Sequence, residues 1–187
     1  MRVVSGKFKG KRLIEPKDKE TRPLKDLTKE SIFNIINHSN KFSININKAN
    51  VLDLFSGVGS FGIECLSQGA SHVTFIERYE GVLPILKKNL NNLKSEINYE
   101  IIESDILNRF EFKSLKLKYD LIFLDPPYKE KAVENILNII IENKILKKNG
   151  IIIIHRHKKE IDEFPNNFKL IDEKKYGISK IIFGSYF

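Results

Sequence analysis

The sequence predicts an α/β fold built on a mostly parallel, doubly wound sheet, and three observations carry that prediction. From Val51 onward, apolar strand-like runs alternate with helical stretches, the pattern of βαβ units. The runs are rich in Ile, Val, Leu and Phe with little polar alternation, as expected of strands covered on both faces. The first of them ends in a glycine-rich turn that opens a helix.

The elements follow in order. In residues 1–20, short strands near 2–5 and 8–14 flank Ser5-Gly6 and Gly10, a hairpin pattern. Residues 26–38 read as a helix, with Asp26 or Thr28 as its cap and Ile32, Phe33, Ile35 and Ile36 as its apolar stripe. Asn40 to Asn50 is a polar connector. Strands are expected near 51–55, 72–76, 98–103, 119–124 and 150–155, separated by helical stretches near 60–68, 79–93 and 130–144. The tail adds strand candidates at 167–174 and 178–186, close enough to pair as a hairpin. The chain divides into a basic N-terminal extension, residues 1–40, and a catalytic body, residues 41–187. No repeats or low-complexity segments appear.

Two carboxyl ends of strands carry chemistry. After the first strand, Gly57, Gly59 and Gly62 satisfy G-x-G-x-x-G, and the acid expected about 20 residues on is Glu77. Glycines there let a ligand lie against backbone at a helix N-terminus, and Glu77 is placed to accept hydrogen bonds from a ribose diol. Asp53 lies four residues before Gly57, where its charge would repel a dinucleotide pyrophosphate but suit the amino group and sulfonium of S-adenosylmethionine. The other reading of Asp53 is a turn cap.

Asp125-Pro126-Pro127-Tyr128 follows the apolar run 119–124, at the strand end where open α/β sheets bind ligands. Two consecutive prolines force the backbone out of the sheet. The stiff turn holds a carboxylate, carbonyls and an aromatic face in fixed relation, which suits a flat base bearing an exocyclic amine. The purely structural alternative is a strand that ends in a proline turn.

Asp53 to Gly62, Glu77, Ser104-Asp105 and Asp125 to Tyr128, in this order, resemble the successive motifs of Rossmann-like S-adenosylmethionine-dependent methyltransferases acting on exocyclic amines. The stretch from Arg2 to Leu13, with Thr21-Arg22-Pro23 and Lys29-Glu30-Ser31-Ile32-Phe33-Asn34, resembles the RsmD family, which methylates N2 of a guanine in bacterial 16S ribosomal RNA. The likeness runs to Lys175-Tyr176-Gly177 and the strand beyond, and departs at Leu24-Lys25-Asp26-Leu27, where the family usually has threonines and an arginine. The resemblance implies a mixed seven-stranded sheet with helices on both faces. It implies catalytic Asp125, Pro126, Pro127 and Tyr128, the last stacking on the target base. It implies contacts to S-adenosylmethionine from Asp53, Phe55, Gly57, Gly59, Glu77, Arg78, Ser104, Asp105 and Ile106. Asp105 would reach the cofactor's adenine amino group; read from the residues alone, Ser104-Asp105 is equally a helix cap.

The net charge of +8 suits a polyanionic partner, and residues 1–30 hold ten Lys/Arg against five Asp/Glu, a net of +5. Arg2, Lys7, Lys9, Lys11, Arg12 and Arg22 are the candidate RNA contacts; general lysine richness of the chain is the competing explanation. The expected partner is 16S ribosomal RNA or an assembling small ribosomal subunit, met by a monomer. Cys65 is alone and reads as a small core residue, and His155, Arg156 and His157 read as a solvated strand end or minor RNA contact, so no metal site is expected. The polar amino terminus and the shortness of 139–141 and 151–154 predict a cytoplasmic protein without a signal peptide or membrane span. Three alternatives stay open: an adenine-N6 methyltransferase, whose DNA-acting forms usually carry a further recognition domain; a nucleic-acid-binding module without catalysis; and a nicotinamide oxidoreductase, for which no hydride-transfer partner is evident.

Overall fold

A computed structural model describes residues 1–16, 24–95, 97–108, 110–127 and 133–186. In chain order the elements are α1 (Asp26–His38), β1 (Asn50–Leu54), α2 (Ser60–Ser67), β2 (His72–Glu77), α3 (Leu83–Asn91), β3 (Tyr99–Glu103), a 3-10 turn (Phe112–Ser114), β4 (Tyr119–Leu124), α4 (Val133–Glu142), β5 (Leu146–His157), β6 (Phe168–Tyr176) and β7 (Ser179–Tyr186). They build one seven-stranded sheet in the order β3-β2-β1-β4-β5-β7-β6. The five strands from β3 to β5 run parallel, and β7 pairs antiparallel with both β5 and β6. The strand order reverses between β1 and β4, so their carboxyl ends flank the crevice where such sheets hold ligands.

Strand alternation sorts the apolar residues into two cores. Val51, Leu121, Phe123, Ile151 and Ile153 pack with Ile32, Phe33, Phe61, Leu86 and Leu90 of α1, α2 and α3. Leu52, Leu54, Ile122, Leu124, Ile152 and Ile154 pack with Val133, Ile136, Leu137 and Ile140 of α4 on the other face. Phe61 stacks on Phe123 at 3.9 Å between ring centroids, which seats α2 against β4 beside the crevice. Among the described residues no helix is long and apolar enough to cross a membrane.

Three elements depart from the expected bounds. The leader turns back on itself through one antiparallel bridge, Arg2 to Arg12, rather than through two strands. The amides of Val3, Gly10 and Leu13 bond back across the turn, while those of Val4 and Ser5 donate to Glu64 and those of Lys7 and Phe8 to Ser67. Helix α3 begins at Leu83 rather than near 79, because Pro84 sits in its first turn, where a missing N–H costs nothing. Strand β5 starts at Leu146; its register with β4 jumps from Tyr119–Leu146 to Leu121–Ile151, a bulge that absorbs the polar run 147–150.

Candidate active site

Strand β1 delivers Asp53 into a turn that departs from helical and extended backbone at three places. Phe55 stands at φ +62, Gly57 at φ +55 and Gly59 at φ +83. Glycine takes this region freely; for Phe55 it stores about 1–3 kcal/mol of strain, of the kind that collects at ligand sites. Asp53 is 1% exposed, and its Oδ2 accepts the Gly62 amide hydrogen at 2.9 Å. Burial pushes its carboxyl up from the ordinary 3.8 to about 8; the Gly62 amide holds it back, and the charges of Asp125 and Glu77 add to the rise. Asp53 therefore senses the acids at two neighbouring strand ends. The open Cβ positions of Gly59 and Gly62 point into the core. A Cβ on Gly62 would stand 2.3 Å from the Phe75 ring, and one on Gly59 2.5 Å from Leu86, so these glycines let α2 pack close to β2 and α3.

Strand β2 ends in Glu77, whose carboxylate accepts three amides: Gly57 at 2.7 Å, Arg78 at 2.8 Å and Tyr79 at 2.8 Å. A carboxylate has about four acceptor positions, so it is fixed in place with capacity left for a ligand hydroxyl. The Ser104 amide donates to the Glu77 carbonyl, joining the ends of β2 and β3. Asp105 then bonds Arg78 at 2.9 Å, Asn108 at 2.8 Å and the Leu107 amide at 3.0 Å, while Ile106 is buried beneath it. Burial pushes the Asp105 carboxyl up, but the Asn108, Leu107 and Arg78 bonds outweigh it and hold the group below its ordinary value. Asp105 thus caps a turn, not a helix.

At the end of β4, Asp125 is half-buried, Pro126 buried and Pro127 exposed; Tyr128 and Arg22 lie outside the described residues. The His155 ring sits between two partners, its Nδ1 2.9 Å from Asp125 Oδ1 and its Nε2 2.9 Å from Ser179 Oγ. Burial pushes the imidazole down, Arg156 does the same, and the Asp125 charge and hydrogen bond more than offset both, so it titrates above 6.5. Arg156 is 2% exposed; its Nε donates to Asp162 at 2.7 Å and its Nη1 to the Pro127 carbonyl at 3.2 Å, tying down the proline corner. The expectation of a solvated strand end at His155 and Arg156 is therefore corrected: both are buried and both hold the corner. The signal was present in the sequence, since His155 continues the two-residue phase of Ile151 and Ile153 on a core-facing strand.

The leader is pinned to this body. Glu64, on α2, takes the Val4 and Ser5 amides and the Ser5 hydroxyl, and faces Lys29 of α1 at 3.6 Å, both side chains wholly buried. Lys29 also donates to the Arg2 carbonyl and Ser60. Lys11 donates to the Asn92 and Leu93 carbonyls and Lys7 to Ser95, both ammonium groups lying 5.7 Å from the Phe8 ring centre. Arg2, Lys9 and Arg12 are exposed. Cys65 is buried, and burial pushes its thiol up.

Residues 1–185 match the protein family described as Conserved hypothetical protein 95. Ribosomal RNA small subunit methyltransferase D of Haemophilus influenzae is 34% identical over 179 residues, covering 95% of this chain and 90% of its own. The protein of that name from Escherichia coli is 29% identical over 178 residues, covering 95% and 85%. A solved Escherichia coli structure, provisionally named a methyltransferase, superposes with a TM-score of 0.81 at 28% identity, over 100% of this chain and 97% of that one.

Proposed function

Since this chain belongs to the RsmD family, described as Conserved hypothetical protein 95, we propose that it transfers a methyl group from S-adenosylmethionine to the exocyclic N2 of a guanine in small-subunit ribosomal RNA. The observation that supports this best is the meeting of Asp53, Glu77 and Asp125 at the strand-order reversal, close enough that the charges of the other two raise Asp53. A buried carboxyl held near 8 is a group that a cation would ionise, so the crevice fits a sulfonium and opposes a pyrophosphate. Glu77, fixed by three amides, is the acceptor for ribose hydroxyls; Asp53, Phe55, Gly57, Arg78, Ser104, Asp105 and Ile106 complete the contacts. Gly59 contributes by shaping the turn.

Bound there, S-adenosylmethionine supplies an electrophilic methyl group. Asp125 and the Pro126 carbonyl accept the two N–H groups of the target amine. An aromatic amine is a poor nucleophile, and positive charge grows on its nitrogen as it reacts. Hydrogen bonds to a carboxylate strengthen with that charge, which stabilises the transition state selectively. The methylated ammonium is acidic and passes its extra proton to Asp125. Tyr128, next in the chain, stacks on the base. Residues 1–40 serve as the RNA-contacting extension of a monomer, with 41–187 as the methyltransferase body.

The test is methyl transfer to ribosomal RNA and to partly assembled small subunits, followed by digestion to nucleosides and mass spectrometry. N2-methylguanosine is expected; N6-methyladenosine would replace the base assignment, and no transfer to any RNA would overturn the reading. Asp125→Ala should slow turnover by at least ~10²-fold. Its cofactor affinity should stay nearly intact, and an equal loss of turnover and cofactor binding would count against the role of Asp125.

A further inference from the structure

We propose that His155 is the positioning residue of the catalytic carboxylate: its ring, fixed between Ser179 and Asp125, holds one Asp125 oxygen and turns the other toward the target amine, and it must be neutral to do so. This rests on the reading of Asp125 as the group that receives the amine. His155 stands on β5 beside the proline corner of β4, and Ser179 begins β7 on the same face, two residues from the register partner Ile181. His155 and Ser179 lie on two strands and Asp125 directly follows a third, the bonded pairs standing 30 and 24 positions apart in the chain. A carboxylate at a strand end is otherwise free to rotate about two bonds; a hydrogen bond from a buried ring removes that freedom before the substrate arrives.

Among the described residues, the charged groups around the ring are few. From β4 comes Asp125, and from β1 Asp53, whose charge is coupled to that of Asp125. On β5 itself Arg156 and His157 flank the ring, Arg156 pointing to the other face, where it holds Asp162 and Pro127. From β7, Lys180 also lies on that other face and donates to the Glu160 carbonyl. In the neutral ring, Nδ1–H donates to Asp125 and Nε2 accepts from Ser179, so the carboxylate keeps its full charge for the amine. An imidazolium would neutralise Asp125 and add a third positive charge beside the sulfonium and the growing ammonium. Turnover should therefore fall as pH drops through the His155 titration, which the Asp125 charge places above 6.5.

The experiment is the pH profile of single-turnover methyl transfer by the full chain on small-subunit RNA at saturating S-adenosylmethionine. The wild-type rate should fall about tenfold per pH unit on its acid side. His155→Asn keeps an N–H donor at the Nδ1 position but cannot titrate. It should stay within about tenfold of wild type at pH 8.5 and lose that acid limb. His155→Leu should lose about 10–100-fold at every pH with an unchanged KM for S-adenosylmethionine, a split that distorted folding would not give. An acid limb that survives in His155→Asn, or a His155→Leu enzyme as fast as wild type, would overturn the proposal. Should His155→Leu fail to fold, His155→Asn alone decides. Asp125→Asn is the control for the underlying reading: if it turns over at the wild-type rate, the catalytic role of Asp125 fails. If it is slow while both His155 variants behave as wild type, only this inference fails.

Discussion

Replacing Asp53 with asparagine removes one ionisable group that the fold keeps from water, and its consequence can be worked from the structure. The folded carboxyl titrates at about 8 against an ordinary 3.8. Between those values the folded chain binds a proton that the unfolded chain has released, so stability falls as pH rises. The slope is about 1.4 kcal/mol per pH unit. From pH 5 to pH 8 that amounts to ~4 kcal/mol at most, and about 2–4 kcal/mol once relaxation around the charge is allowed for. An asparagine side chain can still accept the Gly62 amide through its carbonyl oxygen and carries no charge to bury. Urea unfolding of both proteins at pH 5 and pH 8, without ligand, gives the comparison. The remaining groups are common to both proteins, so the gap should move by about 2–4 kcal/mol in favour of Asp53→Asn at the higher pH. The same substitution should weaken S-adenosylmethionine binding at pH 8 and abolish its pH dependence, since a cation selects the ionised carboxylate. Parallel stability losses in both proteins, or unaltered cofactor binding, would refute the account of Asp53.

Two further outcomes follow from the leader. Lys9→Glu with Arg12→Glu should weaken RNA binding and flatten its salt dependence, by about 0.7–0.9 in logarithmic slope for each phosphate no longer neutralised. Lys11 is a poorer probe because its ammonium holds the Asn92 and Leu93 carbonyls, and an unchanged slope would remove the leader from the RNA interface. Lys29→Met should cost about 3–5 kcal/mol in chemical denaturation, since it strands the Glu64 carboxylate in the core. The double variant with Glu64→Gln should recover most of that loss; a neutral single variant would show that the pair is not buried as an ion pair. Burial lowers the Lys29 pKa by more than Glu64 and Asp26 raise it, so the folded chain gives up this proton before the unfolded chain does, and this group adds stability rather than removing it as pH rises toward 10.5.

The sheet was legible because its signals are local. The mostly apolar runs 72–76 and 119–124 place large apolar side chains on both faces, so they became β2 and β4 between two helical layers. Helix α1 lies at Asp26–His38, where its apolar stripe placed it, and Asp53, Glu77 and Asp125 all stand at strand ends because each directly closes or follows its run. The glycine turn was legible in position but not in use. Gly62 faces the Phe75 ring, a neighbour that no spacing rule names. The Asp-Pro-Pro corner was recognised, whereas the two side chains that fasten it, His155 and Arg156, looked solvated beside His157, Lys158 and Lys159.

Order along the chain, the period of the apolar residues and the placement of glycine and proline were enough to determine the layers of this protein and the strand ends that carry its acids. Charge states and partnerships were decided only by the tertiary structure. Glu64 meets the leader amides across 59 and 60 residues of sequence, His155 meets Asp125 across 30, and Asp53 rises to about 8 because the folded chain removes its water and brings two other acids near. Proton affinity depends on desolvation and on charges within a few ångströms, and both exist only once distant segments have packed.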